Sequence, residues 1–418
     1  MVVKTVSIFV STLFFYIAII PITIFTLSNI LTLFIISLSI FPILYIKGLK
    51  FPLKTNQECL VLAEEQLIVE KLKTSKYRHI NSVISFNTEL HEYNDIQVHS
   101  LVGFNCVEND KPIMLIVHGV MGSSMSSIGI VDHLSENFTI HMIDLPCFGR
   151  SHNPHVNLKD KPPSEIVEFY NNILYEYITH NCNGRACIVA HSFGGFLCTK
   201  FASKHPNLVE KIIFIDPAGI FPLLCSTGAY WAVFFKFSML YTILRITNPI
   251  GQFICHTIME CTNYNSSTEY FLQLLSSKSD GNYLIGKFIS LGFIRSYWAH
   301  PTLHMLAKVK VPIGFIYGEK DNILPPHQGL IFAKATNSNI PVNIVYGAFH
   351  SPQQSHPKQC AKEIATIYDN VRIVSKIEAD MIEKRIPMEV LVKYSGSYCF
   401  MDTKKNIEKM YNDVCGFT

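Results

Sequence analysis

Ser192, Asp321 and His350 are residue types that can transfer an acyl group, and they occur in the order serine, acid, histidine. A serine hydroxyl is almost never ionised at neutral pH, so it needs a neighbouring base to become a nucleophile. The imidazole in turn needs a carboxylate to fix its tautomer and balance the charge it acquires. Ser192 lies in Ala190-His191-Ser192-Phe193-Gly194, directly after the β-branched run Cys187-Ile188-Val189. Phe193, Phe196, Leu197 and Phe201 then recur at helical spacing. Strand, tight turn and helix with a serine at the apex form a nucleophile elbow. Its strained turn calls for small neighbours, which Ala190 and Gly194 supply two residues to either side. Asp321 closes Gly318-Glu319-Lys320-Asp321 after one apolar run, and His350 closes Tyr346-Gly347-Ala348-Phe349-His350 after another. A bend at His118-Gly119-Val120-Met121-Gly122 offers a second backbone donor, so the N–H groups of Val120 and Phe193 would together hold an oxyanion.

Each residue also has a plainer reading: Ser192 as a helix N-cap, Asp321 as a surface turn residue, His350 as a loop histidine. All three would have to be coincidental, in the correct order and each at a strand end, so the triad is the better reading. Asp216, in Ile215-Asp216-Pro217-Ala218-Gly219, is the rival for the acid, while Glu319 is expected to point away. His118 and His191 are expected to pack beneath the functional turns, and Asp144 and Ser151 to shape the turn Asp144-Leu145-Pro146-Cys147-Phe148-Gly149-Arg150-Ser151.

The elements that must position these residues alternate along the chain. Tyr77 to Phe86 and Ile96 to Phe104 resemble two strands of a hairpin-like start. Pro112 to Val117, Phe138 to Ile143, Cys187 to Ala190, Ile212 to Ile215, Val311 to Tyr317 and Val342 to Val345 read as further strands. Helices are expected at Ile128 to Leu134, at Ser164 to Tyr177 and after the elbow. This alternation predicts an α/β fold, a mostly parallel sheet with helices on both faces. In such sheets function gathers at the carboxyl ends of the strands.

Composition bounds the setting. The 418 residues are 49% apolar and only 16% charged, an imbalance that points to a membrane component. A net charge of +3 is too small to argue for nucleic acid. No zinc-type cluster, phosphate loop or dinucleotide fingerprint appears, so neither a metal nor a cofactor is expected. The 12 cysteines form no CxxC pairs and read as mostly reduced thiols, which favours a cytosolic catalytic face. From Thr5 to Ile46 there is no charged residue, about twice the length needed for one crossing. A turn at Thr26-Leu27-Ser28-Asn29 would divide it into spans Val6 to Phe25 and Ile30 to Ile46. Lys4 on one side and Lys47, Lys50 and Lys54 on the other suit a hairpin with both ends in the cytosol, at the endoplasmic reticulum or another internal membrane. The alternative is a signal anchor followed by a lumenal domain, for which the patterns at Asn137 and Asn265 would be glycosylation sites.

His118-Gly119, the Asp144-to-Ser151 turn, the elbow, Asp321 and His350 together make the chain resemble an α/β-hydrolase fold serine hydrolase over roughly Tyr77 to Asn370. More narrowly, His191 to Leu197, Lys204-His205-Pro206 and Asp216 to Phe221 are similar to the lysophospholipase and lipase-coactivator branch. Coactivators of that branch lack the serine; its presence here implies catalysis. The acyltransferase signature His-x4-Asp is absent after His350, and His155 with Asp160 matches it at a frequency chance explains among 17 histidines. The expected organisation is a membrane anchor over 1–54, a linker over 55–76, hydrolase core over 77–216 and 306–372, a helical lid over 217–305, and an extension over 373–418 of no assigned role. The charge-free front of the lid carries Phe221, Leu224 and Trp231, which with Met121 would line a site for a lipid or another apolar ester. An acyltransferase and a non-catalytic scaffold are the competing readings, and the oligomeric state is left open.

Overall fold

The computed structural model describes residues 56–89, 91–105, 111–151, 153, 155–220, 225–226, 265–276, 281–291, 295–298, 302–321, 323–336 and 339–374. The expected membrane hairpin, Phe221, Leu224, Trp231 and all but the first two residues of the C-terminal extension lie outside them. Among the described residues no helix is long and apolar enough to cross a membrane.

Helix α1 (Asn56–Lys71) is followed by two long antiparallel strands, β1 (Lys76–Asn87) and β2 (Glu92–Phe104). The next strands are β3 (Ile113–Val117) and β4 (Thr139–Ile143). Helix α2 (Pro163–Asn181) leads to β5 (Ala186–His191), α3 (Phe193–Lys204) and β6 (Val209–Ile215). Pro163 sits in the first turn of α2, where a missing N–H costs no helical hydrogen bond. The insertion that follows contributes β7 (Cys225–Ser226), α4 (Ser266–Ser276), β8 (Ile289–Leu291) and β9 (Arg295–Trp298). Strands β10 (Ile313–Gly318) and β11 (Val342–Val345) and helix α5 (Pro357–Asn370) complete the core.

Eight strands form one sheet in the order β1-β2-β4-β3-β5-β6-β10-β11. The pairs β1/β2 and β2/β4 are antiparallel, and every pair from β4 to β11 is parallel. Strands β3, β4 and β5 are apolar almost throughout because both faces are covered, the pattern expected of a buried parallel sheet. On one face Phe169, Tyr170, Ile173 and Leu174 of α2 pack with Phe196, Leu197 and Phe201 of α3. On the other, α5 contributes Cys360, Ala361, Ile364 and Ile367.

Two expectations need correction. The linker contains a core element: Leu60, Ala63, Leu67 and Ile68 of α1 are buried in the same cluster as Met114, Ile116 and Met142. Their spacing is helical, but the stripe is broken by Glu64, which also faces inward and is fully buried. The insertion is not purely helical either, since β7, β9 and β8 form a small antiparallel sheet. Strands of two to four residues are too short to display an alternating pattern.

Candidate active site

Parallel pairing brings the carboxyl ends of β3, β5, β6, β10 and β11 to one edge of the sheet, and the sequence-predicted residues gather there. Ser192 sits between β5 and α3 with φ 52° and ψ −119°, a conformation that costs a non-glycine residue on the order of 1–3 kcal/mol. The surroundings enforce it. The Ser192 N–H donates to the Ile215 carbonyl, and the Ser192 carbonyl accepts from the N–H groups of Gly195 and Ala218. Gly194 permits the turn because a Cβ there would lie 2.5 Å from the Val117 carbonyl oxygen.

The Ser192 Oγ lies 3.1 Å from His350 Nε2. On the other side of the ring, His350 Nδ1 lies 2.7 Å from Asp321 Oδ2. With Nδ1 donating to the carboxylate, Nε2 is left as the lone-pair nitrogen facing the hydroxyl. Asp321 is itself held: its Oδ1 accepts from the N–H groups of Ile323 at 2.7 Å and Leu324 at 2.9 Å. Burial pushes the Asp321 carboxyl up, but the charge and hydrogen bond of His350 with these two amides outweigh it, so the net shift is downward. The carboxylate form is thereby favoured beside the imidazole.

The bend after β3 approaches the serine closely. A Cβ on Gly119 would stand 2.7 Å from Ser192 Cβ, so only glycine lets the backbone pass. His118 fixes this bend from below: Nδ1 donates to the Gly119 carbonyl at 2.7 Å, and Nε2 accepts from the Leu145 N–H at 3.1 Å. Burial pushes His118 below its ordinary value, consistent with the neutral ring that both bonds require. Because a peptide is planar and trans, engaging the Gly119 carbonyl also sets the opposed direction of the Val120 N–H. Val120 and Met121 are both half-buried, and Met121 has φ 61°. Phe193 is the first residue of α3, where backbone N–H groups point out of the helix end. Its ring is covered from the insertion by Phe288 at 5.2 Å between centroids.

His191 is a supporting residue. Its Nε2 donates to the His350 carbonyl at 2.8 Å, tying the loop that carries His350 to the elbow. Burial, helped by the adjacent His350, pushes His191 down to about 3, so it stays neutral. Glu319 points away as expected and accepts from the Gly347 N–H at 2.9 Å. His155 and Asp160 are exposed on the loop before α2. Asp216, the rival acid, is fully buried behind Asp321, with Oδ1 accepting from the Gly318 N–H at 2.9 Å.

A second buried cluster was not visible in the sequence. His99 Nδ1 lies 2.9 Å from Asp144 Oδ2, and His99 Nε2 lies 2.9 Å from His79 Nδ1. Arg150 closes it, 2.9 Å from Glu64 Oε1 and 3.3 Å from His79 Nδ1. Glu64, His79 and His99 come close enough together to suggest metal ligands. The Arg150 guanidinium already supplies the positive charge, and His99 spends both ring nitrogens on protein partners, so the donor set does not fit an ion. His191, Asp216 and His350 also converge. There the imidazoles are committed to Ser192, Asp321 and a backbone carbonyl.

Residues 112–357 match the model of the alpha/beta hydrolase fold family. A probable 1-acylglycerol-3-phosphate O-acyltransferase of rice (Oryza sativa subsp. japonica) is 26% identical over 51% of this chain and 57% of its own length. The abhydrolase domain-containing protein abhd-5.2 of Caenorhabditis elegans is 27% identical over 53% of this chain and 52% of its own length. The human (lyso)-N-acylphosphatidylethanolamine lipase is 35% identical, over 28% of this chain and 33% of its own length. The chain thus spans about half the length of two of these relatives and a third of the other. Among solved structures, a membrane phospholipase A superposes with TM-score 0.52 at 17% identity, covering 81% of this chain and 98% of that one. The carboxylesterase CesB of Bacillus subtilis does so with TM-score 0.53 at 15% identity, over 75% and 99%. At these identities the structural likeness speaks to the fold.

Proposed function

The chain belongs to the alpha/beta hydrolase fold family, and within it we propose a membrane-anchored serine hydrolase that cleaves carboxylic esters of lipids or other long acyl chains. The observation that carries this reading is the continuous relay from Ser192 Oγ through His350 to Asp321, at 3.1 and 2.7 Å. Ser192 attacks the ester carbonyl carbon while His350 Nε2 takes its proton, and Asp321 balances the charge on the ring. The oxygen that becomes negative is held by the N–H groups of Val120 and Phe193. His350 then returns the proton to the departing alcohol oxygen, leaving an acyl group on Ser192. Water, deprotonated by the same imidazole, releases the acid and restores the serine. The strained backbone at Ser192 keeps its hydroxyl in place between steps, so little reorganisation is needed during reaction.

The lipid part of the proposal is supported by the lipid-related relatives, whose names include a lipase and acyltransferases, and by the charge-free stretch from Thr5 to Ile46. The lysines flanking that stretch and the buried thiols of Cys182, Cys187, Cys198 and Cys360 favour an internal membrane with the catalytic domain in the cytosol. Transfer of the acyl group to a lysolipid hydroxyl is the second reading, favoured by the acyltransferases among the relatives. It uses the same acyl-enzyme, with an acceptor in place of water. Acyl-labelled lysophospholipid and phospholipid, incubated with full-length protein in vesicles, test both readings. Free fatty acid is expected from wild type and not from S192A; diacyl product that appears only with added lysolipid would instead establish transfer. Turnover that is unchanged in S192A would overturn the proposal.

A further inference from the structure

Behind the triad two aspartates meet at the ends of neighbouring strands, Asp216 after β6 and Asp321 after β10. Asp216 is 0% exposed and Asp321 3%. Pairing of β6 with β10, and the bond from the Gly318 N–H to Asp216, set the two carboxyl groups beside one another. Asp321 has its oxygens oriented by the N–H groups of Ile323 and Leu324 and by His350. Asp216 Oδ1 accepts from Gly318, but Asp216 Oδ2 is buried with no partner. A carboxylate oxygen left in that position carries negative charge beside a second carboxylate with nothing to offset it, an arrangement in which both groups do not ionise together.

The other titratable groups that face Asp216 are His191, His350, Tyr317 and Cys360. None donates to Oδ2. The His191 Nε2 proton is spent on the His350 carbonyl, and the His350 ring serves Asp321 and Ser192. The missing partner is a proton on Asp216 itself, for which Asp321 is the acceptor. We propose that Asp216 is a neutral carboxylic acid and a positioning residue: it donates its proton to Asp321 and so holds the carboxylate that orients His350. Burial, followed by the charge of Asp321, pushes the Asp216 carboxyl well above its ordinary value. The strands make the arrangement rigid, since the Asp216 N–H donates to Ile316 and its Oδ1 reaches across to Gly318 on the same neighbouring strand. The sequence makes Asp216 and Asp321 alternatives for one role; the structure gives them two.

The role in catalysis rests on the serine-hydrolase reading, whereas the proton does not, and the test separates them. Infrared difference spectra of full-length wild type against D216N at pH 8 report the proton; the rate of fluorophosphonate labelling across pH reports the base. A protonated-carboxyl C=O band is expected in wild type and missing from D216N. D216A is expected to label about tenfold more slowly, the effect of losing one hydrogen bond to a charged group. Its acidic limb moves to higher pH, because Asp321 loses a donor to its charged form. Asparagine, which can still donate, should restore most of the rate and return the limb to its wild-type position. Absence of the band in wild type overturns the proposal. So does a limb displaced to lower pH in D216N, the signature of deleting a negative charge beside the base. If D216A does not fold, wild type and D216N still decide. A wild type that never labels overturns the hydrolase reading, with the infrared band still reporting the proton.

Discussion

Two aspartate–histidine pairs lie on this sheet, and they differ by little at the pair itself. His350 Nδ1 is 2.7 Å from Asp321, and His99 Nδ1 is 2.9 Å from Asp144. The difference lies at the other ring nitrogen. His350 Nε2 faces a serine hydroxyl, and its side chain is 22% exposed. His99 Nε2 faces His79, which leads on to Arg150 and Glu64, and its side chain is 2% exposed. The first relay ends on the Ser192 hydroxyl; the second ends on Arg150 and the fully buried Glu64. A carboxylate that orients an imidazole is therefore a general device. It becomes an acyl-transfer centre only where the far nitrogen meets an accessible nucleophile beside backbone donors.

The inner cluster has its own work. Asp144 accepts from the N–H groups of Ser124 and Arg150 as well as from His99. The Ser124 amide belongs to the segment that follows the bend beneath the serine, so Asp144 holds that segment against β2. Ser123, one residue earlier, shares a hydrogen bond of 2.7 Å with Tyr270 of the insertion. Glu64 brings α1 into the same network. The cluster thus ties helix α1, the sheet and the bend together.

Substitutions can break this contrast. The largest expected effect is S192A, which should lower ester turnover about 10⁴- to 10⁶-fold with no loss of thermal stability, read by initial rates and calorimetry. D321N should lower turnover about 10⁴-fold by favouring the wrong tautomer of His350. H99A should do the reverse. It leaves the Asp144 charge buried without its partner and should cost about 3–5 kcal/mol in denaturant unfolding, while the labelling rate per folded molecule stays within a few-fold of wild type. A large loss of that rate at full stability would erase the distinction between the two pairs.

The smallest effect concerns pH. Burial and the Asp144 charge raise Glu64 from 4.5 to about 7 against the opposing pull of His99 and Arg150. An acid with a raised folded value binds more protons folded than unfolded, so its contribution is complete below pH 4.5 and is lost as pH rises towards 7. That loss is on the order of 3 kcal/mol. E64Q should remove this slope from plots of unfolding free energy between those pH values. Asp144 has the opposite sign. Burial raises it, but the hydrogen bond and charge of His99 with the Ser124 amide dominate and bring it down to about 2. Its contribution is therefore lost only as pH falls from 3.8 towards 2.

The elbow was legible because its signals are local: a β-branched run, small residues around Ser192, and helical spacing afterwards. Asp321 and His350 were legible because each lies in the loop after an apolar run, and such loops share one edge in a parallel sheet. The inner cluster had no such signal. Glu64, His79, His99 and Arg150 come from a helix, two antiparallel strands and a turn, and no fixed spacing links them. The packing of α1 was obscured by the inward-facing Glu64 within its apolar stripe. Asp216 was visible as a strand-end acid, but its contact with Asp321 depends on β6 and β10 being neighbours in the sheet, across an insertion of some hundred residues that hides the pairing.

Fluorophosphonate labelling, with the modified residue located by mass spectrometry, asks whether Ser192 is the nucleophile. A single adduct on Ser192 is expected in the native chain. The adduct should be abolished in S192A, strongly slowed in H350A and retained in folded H99A. A native chain that takes up no label, or an adduct that survives S192A, would contradict that role for Ser192.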